Sequence, residues 1–180
     1  MSYLSLLHLP GDIGARAVRQ AFDLSMTEPA ALDDALGYLS DVNWRATLVA
    51  SVAALFLPRD ARLVAALWHR FDAGSWIGPQ LAVILSMVDS DFESASRIRL
   101  ESCSGVSDAM IGGLTPKSAH ALLWVASSRL SVQTWRTTLS ASPTFQSLLE
   151  RDTDAGHMIA QKWQERLLAI LSDLNPQNSP

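Results

Sequence analysis

The sequence predicts an all-α protein, and three observations carry that prediction. Apolar residues recur at the spacing of amphipathic helices, as at Leu48, Val52, Leu55 and Phe56. Strand signals are nearly absent, because no alternating run of β-branched and aromatic residues is bounded by Asn-Gly or Asp-Gly turns. A Trp-marked pattern also repeats at about 32 residues, with Trp44 and Trp76 at matching places in two helix pairs.

The elements follow in order. Asp12 can cap a helix whose apolar face is Ile13, Ala17, Ala21 and Leu24. Thr27, with Pro29 in the first turn, opens a second helix with Leu32, Leu36 and Leu39 on one stripe. Asp41 or Asn43 caps the next, and Pro58 stops it. Asp60 then falls in the first turn of a helix with Leu63, Ala66, Leu67 and Phe71 as its apolar residues, ended by Gly74. Ser75 or Gly78 starts another, where Pro79 is early enough to be tolerated and Leu81, Ile84, Leu85 and Val88 turn inward. Ser90 or Asp91 caps a helix through about Glu101. A short, weak segment at 106–111 lies between Ser104-Gly105 and Gly112-Gly113. Thr115-Pro116 is a strong start, a cap followed by proline, with Leu122, Leu123 and Ala126 facing inward. A short helix is expected over 131–139, and Ser142-Pro143 opens another through Leu149. The last helix runs over 154–174 with Ile159, Trp163, Leu167, Ile170, Leu171 and Leu174 on its stripe. Residues 1–174 read as one domain, and 175–180 as a disordered tail.

Composition narrows the class. The 180 residues carry a net charge of −4, with 18% charged and 48% apolar residues. That apolar share offsets ordering entropy, which excludes a disordered chain. The acidic balance argues against a nucleic-acid binder, which shows a basic excess or stripe. One cysteine, Cys103, excludes a disulfide scaffold and a cysteine-based zinc site. The start has no basic region followed by a long apolar core, so no leader is expected. The apolar run over 48–57 is interrupted by Ser51 and falls short of the roughly 20 residues a bilayer requires. The expected location is therefore cytoplasmic, with no membrane partner. Twelve Arg against two Lys, with many Ala, suggest a bacterial origin.

The repeat suggests an architecture. Residues 32–56 and 63–88 each hold an Ala-Leu helix, a short turn, a Trp and a more apolar second helix. Ala35-Leu36 matches Ala66-Leu67, and a weaker third copy ends at Trp135. One helix pair cannot bury its own apolar face, so copies must stack. The expected fold is a short right-handed α-solenoid of stacked antiparallel pairs, with an irregular helical bundle as the alternative. Through Asp41-Val42-Asn43-Trp44-Arg45 and the Ala/Leu-rich helix after it, the chain resembles HEAT-type repeat proteins over residues 28–140.

Chemical motifs are scarce. The four histidines, His8, His69, His120 and His157, are never three to five residues apart, so no helix face presents a ligand pair and no metal is expected. The acids from Asp89 to Glu93 resemble the start of a calcium loop, but Ser94 and Leu100 occupy the places of its Gly and Glu. No nucleophile elbow or phosphate loop occurs, and no cofactor is expected. Cys103 reads as a partly buried structural thiol, and a His69–Asp72 pair as a helix-surface hydrogen bond.

What remains is surface. Trp68 and Trp124 each sit one place beyond a core leucine, which turns them about 100° from it and leaves them partly exposed. Asp33, Asp34, Asp72, Asp89, Asp91 and Glu93 fall within the clearest repeats, where stacking can line them into an acidic ridge attractive to a basic protein. With Trp68 and Trp76 they form the expected protein-binding residues. The expected function is a non-enzymatic protein-binding module. In its short, acidic, motif-poor chain it is similar to bacterial immunity proteins, which neutralise a toxin by covering its site. An effector chaperone or adaptor is an alternative. Another is an enzyme on a HEAT-like scaffold such as a DNA glycosylase, for which Arg45, Arg59, Arg62 and Arg70 near Trp44, Trp68 and Trp76 would supply a groove.

Overall fold

Every residue from Gly78 to Ser86 is buried. A helix that is apolar on all sides has no solvent face and must be covered all round. The computed structural model describes residues 3–103, 114–129, 137 and 139–174, and shows how that cover is built. Among the described residues, ten helices pack together: α1 (Tyr3–His8), α2 (Gly11–Thr27), α3 (Ala31–Ser40), α4 (Trp44–Ala53), α5 (Ala61–Asp72), α6 (Gly78–Val88), α7 (Phe92–Cys103), α8 (Pro116–Arg129), α9 (Pro143–Glu150) and α10 (Gly156–Leu174). No strand occurs among the described residues. The Trp135 marker, the 106–111 segment, most of the 131–139 helix and the 175–180 tail lie outside them.

Helices α3 and α4 pack together, as do α5 and α6, with α3 against α5 and α4 against α6. Helix α6 then meets α8, which also touches α7 and α9. Helix α10 lies against both α8 and α6, while α1 and α2 cover α4. Among the described residues, no helix is long and apolar enough to cross a membrane.

Several helix starts match their sequence signals. Asn43 Oδ1 accepts from the Arg45 N–H, Thr115 Oγ1 from the Ser118 N–H and Ser142 Oγ from the Phe145 N–H. Asp60 is the cap of α5 rather than a first-turn residue, accepting from the Arg62 N–H. The Arg62 guanidinium holds its carboxyl down at about 2. Other starts differ. Thr27 ends α2, its hydroxyl donating back to the Asp23 carbonyl, and α3 begins at Ala31. Ile13 and Leu24, expected inside, are exposed, because α2 buries Gly14, Ala17, Val18 and Ala21 instead. That face of small residues allows close approach: a Cβ at Gly14 would collide with the Leu9 backbone.

Helix α1 has no counterpart among the expected elements. Its last four carbonyls lack intrahelical partners, and each finds one elsewhere. The Ser5 carbonyl accepts from Leu9 N–H. The Leu6 carbonyl accepts from Trp163 Nε1 at 2.9 Å, Leu7 from Gln80 Nε2 at 3.3 Å, and His8 from Arg166. The first helix is thereby tied to α6 and α10.

Leu81 has no exposed surface. Leu81→Ala should lower stability by about 2–5 kcal/mol through lost burial and a residual cavity. Val42, which is 84% exposed, should tolerate alanine within about 0.5 kcal/mol. Urea midpoints of the two variants check both values, and equal midpoints would contradict the assignment of α6 to the core.

Candidate functional site

Three expected site residues meet, but not as a surface. Trp68 is 6% exposed rather than partly open, because α7 covers the side of α5 that carries it. Phe92 stacks on its ring at 5.9 Å, Phe71 meets it edge-on at 5.6 Å, and the Arg99 guanidinium lies 3.8 Å from the ring centre. The indole N–H donates to Asp89 Oδ2 at 2.7 Å. Arg99 also pairs with both oxygens of Asp72, at 2.7 and 2.8 Å. Asp72 thus serves Arg99 rather than His69. The group joins α5, the α6–α7 turn and α7 in one polar and aromatic staple.

The remaining acids lie elsewhere. Asp33 and Asp34 are exposed in the first turn of α3, where Asp34 borders an apolar groove that Ala21, Leu24, Ala35, Tyr38 and Val49 help line. Asp91 and Glu93 are exposed at the start of α7, a position favoured by the helix dipole. Asp89 Oδ1 accepts from the Asp91 N–H, so Asp89 organises that turn as well.

Trp76 stands apart at 58% exposure in the α5–α6 turn. Its ring meets Trp44 edge-on at 5.2 Å, and Lys117 Nζ lies 5.1 Å from a Trp76 ring centre. Lys117 also reaches Asp154 at 3.4 Å. A cleft of about 270 Å³ opens here, lined by Trp76, Pro116, Lys117, Arg151, Asp152 and Asp154 among others. Two glycines bring its walls together. A Cβ at Gly78 would strike the Ser118 side chain, and one at Gly156 would strike the Lys117 carbonyl. The starts of α6, α8 and α10 therefore converge on one place.

At the same junction, His120 of α8, Asp152 of the α9–α10 turn and His157 of α10 bring their ligand atoms within 4.8 Å of one another. His120 Nδ1 lies 2.9 Å from Asp152 Oδ2, which also accepts from the Gly156 N–H at 2.6 Å. The imidazoles face each other with ring centres 4.1 Å apart and a 33° tilt. Burial pushes the His157 pKa down, His120 adds to that, and Asp152 opposes it. No sequence window revealed this group, since its members span three elements and His120 precedes Asp152 by 32 residues.

Trp124 is half-buried, and Cys103 is buried. Burial and the nearby Asp72 charge push the Cys103 thiol up to about 11. No protein-family model, curated protein or solved structure matches the chain.

Two outcomes follow. Asp89→Ala strands the buried indole N–H and should cost about 1–3 kcal/mol. Trp68→Phe should reduce that cost, so a double-mutant cycle read by urea unfolding should be clearly non-additive; strict additivity would remove the Trp68–Asp89 bond. At pH 8 only about one Cys103 side chain in a thousand would be thiolate. A disulfide reagent should therefore label it at the rate of unfolding, and prompt native-state labelling would contradict its burial.

Proposed function

We propose that this chain is a non-enzymatic protein-binding module, and that it acts as a bacterial cytoplasmic immunity protein that covers and neutralises a basic toxin domain. The observation that carries the reading is the exposure of Trp76 at the mouth of the cleft. An indole left 58% open, buttressed by Trp44 and by a lysine near its ring, retains apolar area for a partner to cover. Tryptophan is the residue type most enriched at interface hot spots, where neighbouring side chains exclude water from it. Mixed charges from Lys117, Arg151 and Asp154 suit the polar rim of such a contact.

The charge of the whole chain supports a basic partner. It is −4, and Asp33, Asp34, Asp91 and Glu93 are exposed. Such acids speed encounter more than they deepen affinity. Trp68, Asp72 and Asp89 act behind this surface by fixing α5 against α7. In this reading the helix pairs α3–α4, α5–α6 and α7–α8 form a short right-handed run of stacked antiparallel pairs of HEAT-like type. The packing of α3 on α5, and of α4 on α6 and α6 on α8, supports that arrangement.

Co-expression with the product of the neighbouring gene tests the proposal. A toxic neighbour should be rescued by the chain and should co-purify with it. Trp76→Ala should weaken the complex by about 30-fold or more, as expected of a hot spot, while leaving the melting temperature of the free chain unchanged. Neutralising Asp33 and Asp34 together should slow association and weaken its salt dependence. Neither rescue nor a complex would overturn the reading, as would a complex indifferent to Trp76.

A further inference from the structure

We infer that His120, Asp152 and His157 form a binding site for a divalent transition metal of the zinc class. The inference stands apart from the protein-binding reading, because it rests on other side chains and a different chemistry.

The first observation is the donor set. Two imidazoles and one carboxylate are the ligands that zinc and its neighbours take, with a fourth position left to water or an incoming group. Calcium and magnesium instead require an oxygen-rich shell, which two imidazoles do not supply. Zinc–ligand bonds of about 2.0–2.1 Å imply about 3.4 Å between tetrahedral ligand atoms. His120 Nδ1 lies 2.9 Å from the Asp152 carboxylate, so these two side chains are already adjacent. The 4.8 Å span of the whole set closes by side-chain rotation of little more than an ångström.

The second observation is independent of the first. The Asp152 side chain has no exposed surface, and its Oδ1 has no hydrogen-bond partner. His157 Nδ1 is likewise buried and unpartnered. Leaving a buried polar atom unpaired is unfavourable, and such an atom in a native structure points to a missing water or ion. Here two fall within one cluster of metal-ligating residues. A divalent cation bound through Asp152 Oδ1 and His157 Nδ1 would give both a partner, and Oδ2 would keep its bond from the Gly156 N–H.

The third observation concerns support. Asp152 Oδ2 is held by the Gly156 N–H at the start of α10, so the carboxylate is oriented by backbone. The close approach of Gly156 to the Lys117 carbonyl fixes α10 against α8, and with it His157 against His120. Such supporting contacts preorganise metal ligands. A bound ion would clamp α8, the α9–α10 turn and α10 together. Asp152 also lines the Trp76 cleft, so the ion would sit at its wall.

The full chain, stripped with EDTA and dialysed, should take up one equivalent of ZnCl2 by titration calorimetry, and zinc should raise its melting temperature. CoCl2 should give the visible absorption bands of a tetrahedral or five-coordinate site. CaCl2 and MgCl2 should leave the melting temperature unchanged. His120→Gln and His157→Gln should each reduce zinc affinity at least tenfold, while His69→Gln, an exposed histidine, should not. Should a cluster variant fail to fold, the cobalt spectrum of the unaltered chain decides alone. Absence of cobalt bands or of stoichiometric zinc uptake overturns the site. So does zinc uptake that survives both histidine changes, or an equal response to magnesium.

Discussion

Helix α6 imposes the constraint from which the rest of the structure follows. With no polar side to offer water, it is stable only when enclosed. Its neighbours α4, α5, α8 and α10 supply the enclosure. Each fully buried Leu, Ile or Val side chain contributes roughly 1.5–3 kcal/mol relative to exposure, and α6 contributes Leu81, Val83, Ile84 and Leu85 at no measurable exposure. Its one large polar side chain, Gln80, is turned to use: it donates to the Leu7 carbonyl and helps dock α1. A repeated stack alone would leave one flank of α6 open. Helix α10 fills that flank, and the bond from Trp163 to Leu6 ties the last helix to the first across 157 residues of sequence.

Enclosure has a local consequence at the helix starts. Chains can approach this closely only where a side chain is missing, as at Gly78 against Ser118 and Gly156 against Lys117. The beginnings of α6, α8 and α10 are therefore drawn to one point. Trp76 lies two residues before α6, Lys117 and His120 lie in the first turns of α8, and Asp152 and His157 flank the start of α10. The exposed indole, the cleft and the histidine cluster are neighbours for the same packing reason. Several buried hydroxyls are satisfied within their own helix. Thr47 and Ser51 bond to carbonyls one turn back, and Ser86 bonds to Val83. Buried side-chain atoms without a partner also occur at Arg70, Ser96, Ser127 and Gln164; those of Asp152 and His157 carry weight because both belong to one cluster of metal-ligating residues.

The sequence was readable where the signal is local. Asn43, Thr115 and Ser142 each cap a helix through atoms two or three residues away; the last two follow from their Ser/Thr-Pro signals, and Asn43 is one of two candidates with Asp41. The apolar faces of α5 and α10 are legible from spacing, because burial on one side of a helix imposes that period, whereas α6 is buried all round and its spacing shows only part of what it buries. Other features depend on distant chain. Helix α1 has six residues and no cap signal, and its carbonyls are satisfied from α6 and α10. Trp68 looked exposed because its position beside Leu67 turns it away from that stripe; α7, twenty and more residues later, supplies a second wall. A spacing rule for histidines on one helix could not find His120 with His157, since one lies on α8 and the other on α10. The acids suggested one ridge, but Asp72 and Asp89 are committed to Arg99 and Trp68.

The cleft and the cluster share Asp152 and one junction, yet their chemistry keeps them separable. Trp76 contributes apolar area and has no part in ligating an ion. His120 and His157 contribute lone pairs and do not line the cleft. Under the two proposals, a change at Trp76 would act on association, and a change at His157 first on metal affinity and on the docking of α10. The link between them is electrostatic and geometric. A divalent cation beside Asp152 would turn a buried negative site positive, within reach of the Lys117–Asp154 pair at the cleft mouth. It would also stiffen the turn that carries Arg151 and Asp154. By linkage, any such effect on a partner's affinity must appear equally in the metal's affinity when the partner is bound. Because the carboxylate is fully buried, that coupling would be screened little by salt, unlike the contribution of Asp33 and Asp34 at the surface.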